Sequence, residues 1–214
     1  MAQTAAPRKT LLIAVDIEKA GARKHHPVVS VGIVAGDTEG QVILKTRVNF
    51  AVSWPKTYPS ELGAIALVKD YGDFEPRCWD EFWSCKIPPS AIEECKANAL
   101  ELHVGWQEVH ELIVSTCNLC KGHKVVYLSN NPSFDIAAID DGFDHIKQLP
   151  LKYTPDGKYH GDFNPNNMLF MLAPDVQHSC REEVERVVVH DHNPANDAHS
   201  IYLTYLQCLK QKAV

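Results

Sequence analysis

The stretch KTLLIAVDI, Lys9 to Ile17, is an apolar run that turns acidic at its end. A run this short, built from aliphatic and β-branched side chains, reads as a strand buried on both faces. Asp16 and Glu18 stand at its end, and Ala20-Gly21 follows. Side chains on a strand alternate between faces, so two acids two residues apart share one face. Working outward, PVVSVGIVA (Pro27 to Ala35) reads as a second strand, the cluster Gly36 to Gly40 as a turn, and QVILKTRVNF (Gln41 to Phe50) as a third strand. The last two form an antiparallel hairpin. Three strands in succession predict a meander that opens a mixed sheet.

Ala51 to Pro89 has no clear period and is rich in Pro, Gly and aromatics, and reads as an irregular excursion with one helical turn near Trp79 to Trp83. An irregular stretch that long inside a compact domain is uncommon and often functional. Ser90 with Glu93 three residues on has the pattern of a capping box, opening a helix through Leu100. Val104 to Cys120 places Trp106, Val109, Leu112, Ile113 and Thr116 on one helical face, with Gly122 as a stop. Val125 to Leu128 reads as a short buried strand, followed by a helix capped by Asn131 or Ser133. Lys147 to Asn167 is irregular, with a turn signal at Thr154-Pro155-Asp156-Gly157 and a short helix after Asn164 or Asn166. Arg181 to Val188 is a further helical candidate, and Ala195 to Gln211 closes the chain as a helix. Strands first, then helices alternating with strands, give an α/β class with a mixed sheet.

The 214 residues amount to one domain, with a core of about 9–211 and an insertion of about 51–89. Apolar residues at 45% and charged residues at 22% exclude a disordered chain. Twenty-one Lys and Arg against 27 Asp and Glu give a net charge of −6, which argues against a generic polycation coating nucleic acid. The longest apolar run, Met168 to Ala173, is far short of a membrane span, so no membrane partner is expected. Arg8 and Lys9 lack a signal-type apolar segment behind them, and the expectation is an intracellular protein, cytoplasmic or nuclear. Seven irregularly spaced cysteines fit that compartment. Cys117 and Cys120 form a single CxxC, and His123, His178 and Cys180 have no zinc spacing; the favoured reading is two thiols at a helix end.

Four carboxylates stand out by position. Asp16 and Glu18 end the first strand, Asp135 starts a helix just after the Val125 to Leu128 strand, and Asp197 starts the last helix. Converging at element ends, they would repel one another severely without a cation. Hard divalent ions with oxygen ligands relieve this, and a pair of them can clamp the attacking and leaving oxygens of a phosphodiester displacement. His192, five residues before Asp197, is suited to take a proton from water at neutral pH.

The pattern resembles the DEDD superfamily of 3′→5′ exonucleases, in its DEDDh branch. Three blocks carry the resemblance in the family's order: Asp16-Ile17-Glu18 as D-x-E, Asn131-Pro132-Ser133-Phe134-Asp135 as N-x-x-F-D, and His192 to Asp197 as H-x4-D followed by Ala198. Each block is common by chance, whereas three in order are specific jointly. The tyrosine branch is disfavoured, because position 193 is Asn. The resemblance covers Leu11 to about Leu209. It implies an RNase H-like fold with a five-stranded mixed sheet flanked by helices, and two magnesium or manganese ions on Asp16, Glu18, Asp135 and Asp197. It further implies His192 as general base and release of nucleoside 5′-monophosphates from 3′ ends of single-stranded DNA or RNA.

Where many members carry two hydroxyl residues after the glutamate, this chain has Lys19-Ala20, which makes Lys19 a candidate phosphate contact. Lys19, Arg23, Lys24, His25 and His26 form a basic cluster beside the first block, and Lys19, Arg23, Lys24 and Asn131 are the candidate substrate contacts. A structural cap is the favoured role for Asn131. Trp54, Tyr58, Trp79 and Trp83 either stack on bases or form a satellite core beneath the insertion, with the core favoured. Asp140, Asp141 and Asp191 read as surface charges, and His190 and His199 as without a role in the site. The alternatives to the exonuclease reading are an RNA-specific exoribonuclease or oligoribonuclease and, in another class, a non-catalytic RNase H-like module. A homodimer is compatible with a stand-alone domain of this size.

Overall fold

The computed structural model describes residues 9–58, 67–151, 161–188 and 191–212. The meander is present as expected. Strands β1 (Thr10–Lys19), β2 (Val28–Asp37) and β3 (Val42–Phe50) pair antiparallel in sequence. The insertion follows with β4 (Lys56–Tyr58), β5 (Leu67–Asp70), α1 (Pro76–Cys78), a π-helical turn over Trp79–Trp83, and α2 (Ser84–Lys86). Next come α3 (Pro89–Ala97), β6 (Ala99–Leu100), α4 (Leu102–Leu119), β7 (Lys124–Leu128) and α5 (Asp135–His145). The chain continues with β8 (Gly161–Phe163), α6 (Pro165–Phe170), α7 (Pro174–Glu185) and α8 (Pro194–Lys212).

The main sheet has the order β6-β3-β2-β1-β7-β8. β7 lies parallel to β1 and β8 parallel to β7, so within this sheet β2 alone runs against the rest. The five expected strands are joined by the two-residue edge strand β6. β1 is central, and its two faces are covered differently. Leu11, Ile13, Val15 and Ile17 enter the larger core with Trp106, Val109 and Ile113 of α4 and Ile136, Ile139 and Phe143 of α5. Leu12 and Ala14 face Ala198, Ile201, Tyr202 and Leu206 of α8. Helices on both faces of the sheet make this an α/β fold of the RNase H type.

Several expectations need correction. The insertion has the helical turn expected at Trp79–Trp83 but more besides: β4 and β5 pair antiparallel in a separate two-stranded sheet, and helical turns flank it from Pro76 to Lys86. Its aromatics form a satellite core, with Phe74, Trp79, Trp83, Ile87 and Ile92 buried and Trp54 packed against them. This satellite core is the favoured of the two readings, and it buries the faces that Trp79 and Trp83 would need for base stacking. The Tyr58 side chain, the turn at Thr154 to Gly157 and His190 lie outside the described residues. The capping box at Ser90 does not form. The helix starts one residue earlier at Pro89, where a missing N–H costs nothing, and Glu93 instead pairs with Lys96 at 2.7 Å. α7 begins at Pro174 for the same reason, well before Arg181. Asn164 does cap α6, its side chain accepting from the Asn166 N–H.

Candidate active site

β1 carries the first two acids to the edge of the core. Asp16 and Glu18 continue the row begun by Leu12 and Ala14, so they point toward α8. A bulge between Glu18 and Lys19 then turns the strand away. Gly32 of β2 lies directly opposite Asp16, and a Cβ there would sit 1.9 Å from the Pro194 carbonyl oxygen. Only glycine admits the start of α8 this close to the sheet. That approach sets Asp197, in the first turn of α8, beside the acids of β1. One ligand atom each from Glu18, His192 and Asp197 lie within 4.8 Å of one another, and His192 Nδ1 is 4.0 Å from Glu18 Oε1.

His192 holds a left-handed backbone, φ +56°, which costs a non-glycine residue energy and concentrates at functional positions. The loop that holds it is tied locally. Asp191 accepts the Asn193 N–H and both its oxygens receive the Asn196 amide, while the Asn193 side chain caps Ala195. Asp191 is thus part of the loop's internal bonding and not a loose surface charge. Asp141 pairs with Lys24 and Asp140 accepts the Leu151 N–H, so these two are also engaged.

Asp135 is the buried first residue of α5. The helix start is not capped by Asn131 or Ser133 as expected: Phe134 stands at the N-cap with no side-chain bond, and the Asn131 backbone carbonyl instead accepts the N–H groups of Phe134 and Asp135 in the turn before it, while its side chain accepts the Ser133 hydroxyl. The Asp135 carboxylate receives the buried Ser129 hydroxyl, and backbone bonds at Asn131 and Ile17 also reach it. Ser129 was not foreseen: a serine at a strand end carries no pattern of its own. Asn130 is in turn held by the side-chain amides of Asn164 and Asn166, anchoring the loop to α6.

The electrostatics match the geometry. Burial holds the Asp16 carboxyl well above its usual range, and the charges of Asp135 and Asp197 push it the same way. Burial raises Glu18 as well, reinforced by Asp16, Asp197 and Asp135. Asp135 is pushed up to about 6 by burial, against the opposing hydrogen bonds from Ser129, Asn131 and Ile17. Asp16 and Glu18 thus feel the charges of both Asp135 and Asp197 in addition to burial. Hard oxygen donors with an adjacent imidazole are the donor set a divalent cation fits.

The candidate substrate contacts divide. Lys19 is buried, its Nζ donates to the Arg23 and Lys24 carbonyls at 3.1 and 3.2 Å, and it lies 5.3 Å from the Phe134 ring centroid. It organises the basic loop from within. Lys24 Nζ meets Asp141 at 2.9 Å on the surface, and Arg23 is exposed. The insertion also reaches the site. Trp83 Nε1 donates to the Lys19 carbonyl at 3.0 Å, the Glu75 N–H to the Ala20 carbonyl at 2.9 Å, and the Phe82 ring lies 4.8 Å from the His192 ring at 74°. Cys117 is half-buried at the end of α4, with its thiol pushed up to about 11 by burial. Among the described residues the only group of three or more metal-type side chains is Glu18, His192 and Asp197. No helix among them is long and apolar enough to cross a membrane.

No protein-family model matches the sequence, and no curated protein matches it. Solved structures do. E. coli exonuclease I in complex with a 5cy-dT13 oligonucleotide superposes with a TM-score of 0.61 at 12% identity, covering 96% of this chain and 42% of that one. Exonuclease I in complex with the inhibitor BCBP gives 0.59 at 14% identity, over 97% and 43%. The zinc-ion-bound form of the E. coli exonuclease I–ssDNA complex gives 0.56 at 13%, over 96% and 40%. The chain spans about two fifths of the length of these exonuclease I chains. Across nearly all of its own length, then, this chain has the RNase H-like fold of exonuclease I.

Proposed function

We propose that the chain is a metal-dependent 3′→5′ exonuclease of the DEDDh type, hydrolysing phosphodiester bonds at single-stranded 3′ ends to release nucleoside 5′-monophosphates. The observation that carries this is the convergence of Glu18, His192 and Asp197 within 4.8 Å, beside Asp16 and Asp135, in the fold of exonuclease I. Chance similarity in three short motifs does not bring residues from a strand end, a loop and a helix start to one point.

Asp16, Glu18, Asp135 and Asp197 would hold the cations, magnesium or manganese, two in number by the resemblance. Bound there, such ions supply Lewis-acid stabilisation of the charge that builds on the attacking and leaving oxygens. The chain's own residues do the rest. His192, whose Nδ1 lies 4.0 Å from Glu18 Oε1, takes a proton from the attacking water. Ser129 fixes the Asp135 carboxylate by a hydrogen bond. The exposed Arg23 is placed to meet the phosphate backbone, with Lys24 available once its surface pair with Asp141 opens.

The exonuclease I neighbours are complexes with single-stranded DNA oligonucleotides, so DNA is the first substrate to test. The experiment digests 5′-labelled single-stranded DNA and RNA in parallel with magnesium, manganese or EDTA. A metal-dependent ladder that shortens from the 3′ end is the expected result, and the faster polymer identifies the sugar. Binding of either strand with no turnover under any metal would instead establish the non-catalytic module.

A further inference from the structure

We propose that the insertion is a brace for His192, with Phe82 as the positioning residue that sets the imidazole; the inference rests on the exonuclease reading above. Phe82 lies in the π-helical turn Trp79–Trp83, and its ring is half-buried. The His192 ring sits against it edge-to-face, 4.8 Å between centroids at 74°, the geometry that aromatic quadrupoles favour.

The brace is anchored at both ends. At the site end, Trp83, fully buried, donates its indole N–H to the Lys19 carbonyl one residue beyond Glu18, and the Glu75 N–H bonds the Ala20 carbonyl. At the other end, Trp83 and Trp79 pack with Phe74 and Trp54 in the satellite core. Phe82 is the neighbour of Trp83 on the same turn, so its position is referred to the backbone that carries Glu18. The π-turn itself widens the helix by one residue, and such turns occur often at functional sites. His192 holds a strained left-handed backbone, and its loop is tied through Asp191, Asn193 and Asn196. Glu18 engages one side of the ring through Nδ1 at 4.0 Å, and Phe82 adds a packing surface. A base displaced by about 1 Å can lose on the order of 10²-fold in rate.

The test is a double-mutant cycle in the full chain, with kcat and KM measured on a labelled single-stranded oligonucleotide in magnesium. Phe82→Leu keeps the bulk and removes the ring, Phe82→Tyr keeps the ring, and each is paired with His192→Ala. Phe82→Leu should lower kcat by about 10- to 10²-fold while KM moves less than about 2-fold. Phe82→Tyr should restore the wild-type rate, and Phe82→Leu should add no loss in the His192→Ala background. The same loss in both backgrounds, or a raised KM with kcat kept, would make Phe82 a substrate contact and overturn the brace. A second readout is independent of turnover. The His192 ring-proton resonances should lose their Phe82 ring-current shift in Phe82→Leu and regain it in Phe82→Tyr. Resonances unmoved by Phe82→Leu would sink the proposal even if the chain proves an active nuclease. Resonances that move in a chain with no turnover would keep the brace and sink only the exonuclease reading.

Discussion

On one face of β1, Leu11, Ile13, Val15 and Ile17 are buried in succession against α4 and α5. On the other, Leu12 and Ala14 pack under α8, and the next two positions of the same row are Asp16 and Glu18. The same ten-residue strand therefore spends one face wholly on stability and gives up the last two of the five positions on the other. An apolar pair at 16 and 18 would bury well at this depth. Two acids there are held against burial and against each other, a destabilising choice of the kind found where function overrides stability. The lesson is a division of labour along one strand, and it can be broken experimentally from either side.

The largest effect is expected on the acidic row. Asp16→Ala should lower cleavage by about 10⁴-fold or more, since it removes one of the four donors the resemblance assigns to the ions. It should leave the melting temperature of the ion-free protein unchanged or higher, because a buried repulsion is lost. Retained turnover in the purified variant would end the assignment. His192→Ala should cost about 10²- to 10⁴-fold, with ion binding kept, as calorimetry with magnesium would show. A rate equal to wild type would remove His192 from the chemistry.

The apolar face should respond in the opposite currency. Ile13→Ala, at a fully buried position, should cost about 2–5 kcal/mol by denaturant titration. The rate per folded molecule should stay within about 2-fold of wild type. A variant that loses activity while keeping stability would show that the two faces are not separable.

How much of this was legible in the sequence follows from the range of the signals. β1 could be read because its apolar run and its acids are local. The grouping of Glu18, His192 and Asp197 could be anticipated because each of the candidate residues sits at an element end that has its own markers. The Gly32 contact with Pro194 was invisible, since a glycine in a strand looks the same whether or not another backbone crosses it. Phe82 was invisible too, because no period picks it from the twelve aromatics and prolines in the insertion. Lys19 was misjudged for a related reason. Charge composition marks a basic loop but does not say that one amine is turned inward onto its carbonyls. Local chemistry was readable, and contacts between distant segments were not.

The smallest effect expected is also the most direct measure of what the acidic row costs. Burial pushes the Asp135 carboxyl up to about 6 from an ordinary value of 3.8, and Asp16 and Glu18 are raised in the same direction. The folded state thus holds protons that the unfolded state has released. Stability from these groups is full below the ordinary carboxylate range and is lost as pH rises through about 6. The ion-free protein should therefore melt lower at pH 7.5 than these acids alone would allow at pH 5, and Asp16→Asn should flatten that slope. Magnesium binds the deprotonated acids, so its stabilisation should run the other way. A hundred-fold excess over its Kd should raise the melting temperature by roughly 5–10 °C at pH 7.5 and by less at pH 5. The same fourfold comparison on Ile13→Ala should return the wild-type pH slope and the wild-type magnesium shift from a lower starting temperature. An equal magnesium shift at both pH values would mean that the ions do not compete with protons for these carboxylates, and the acidic row would need another explanation.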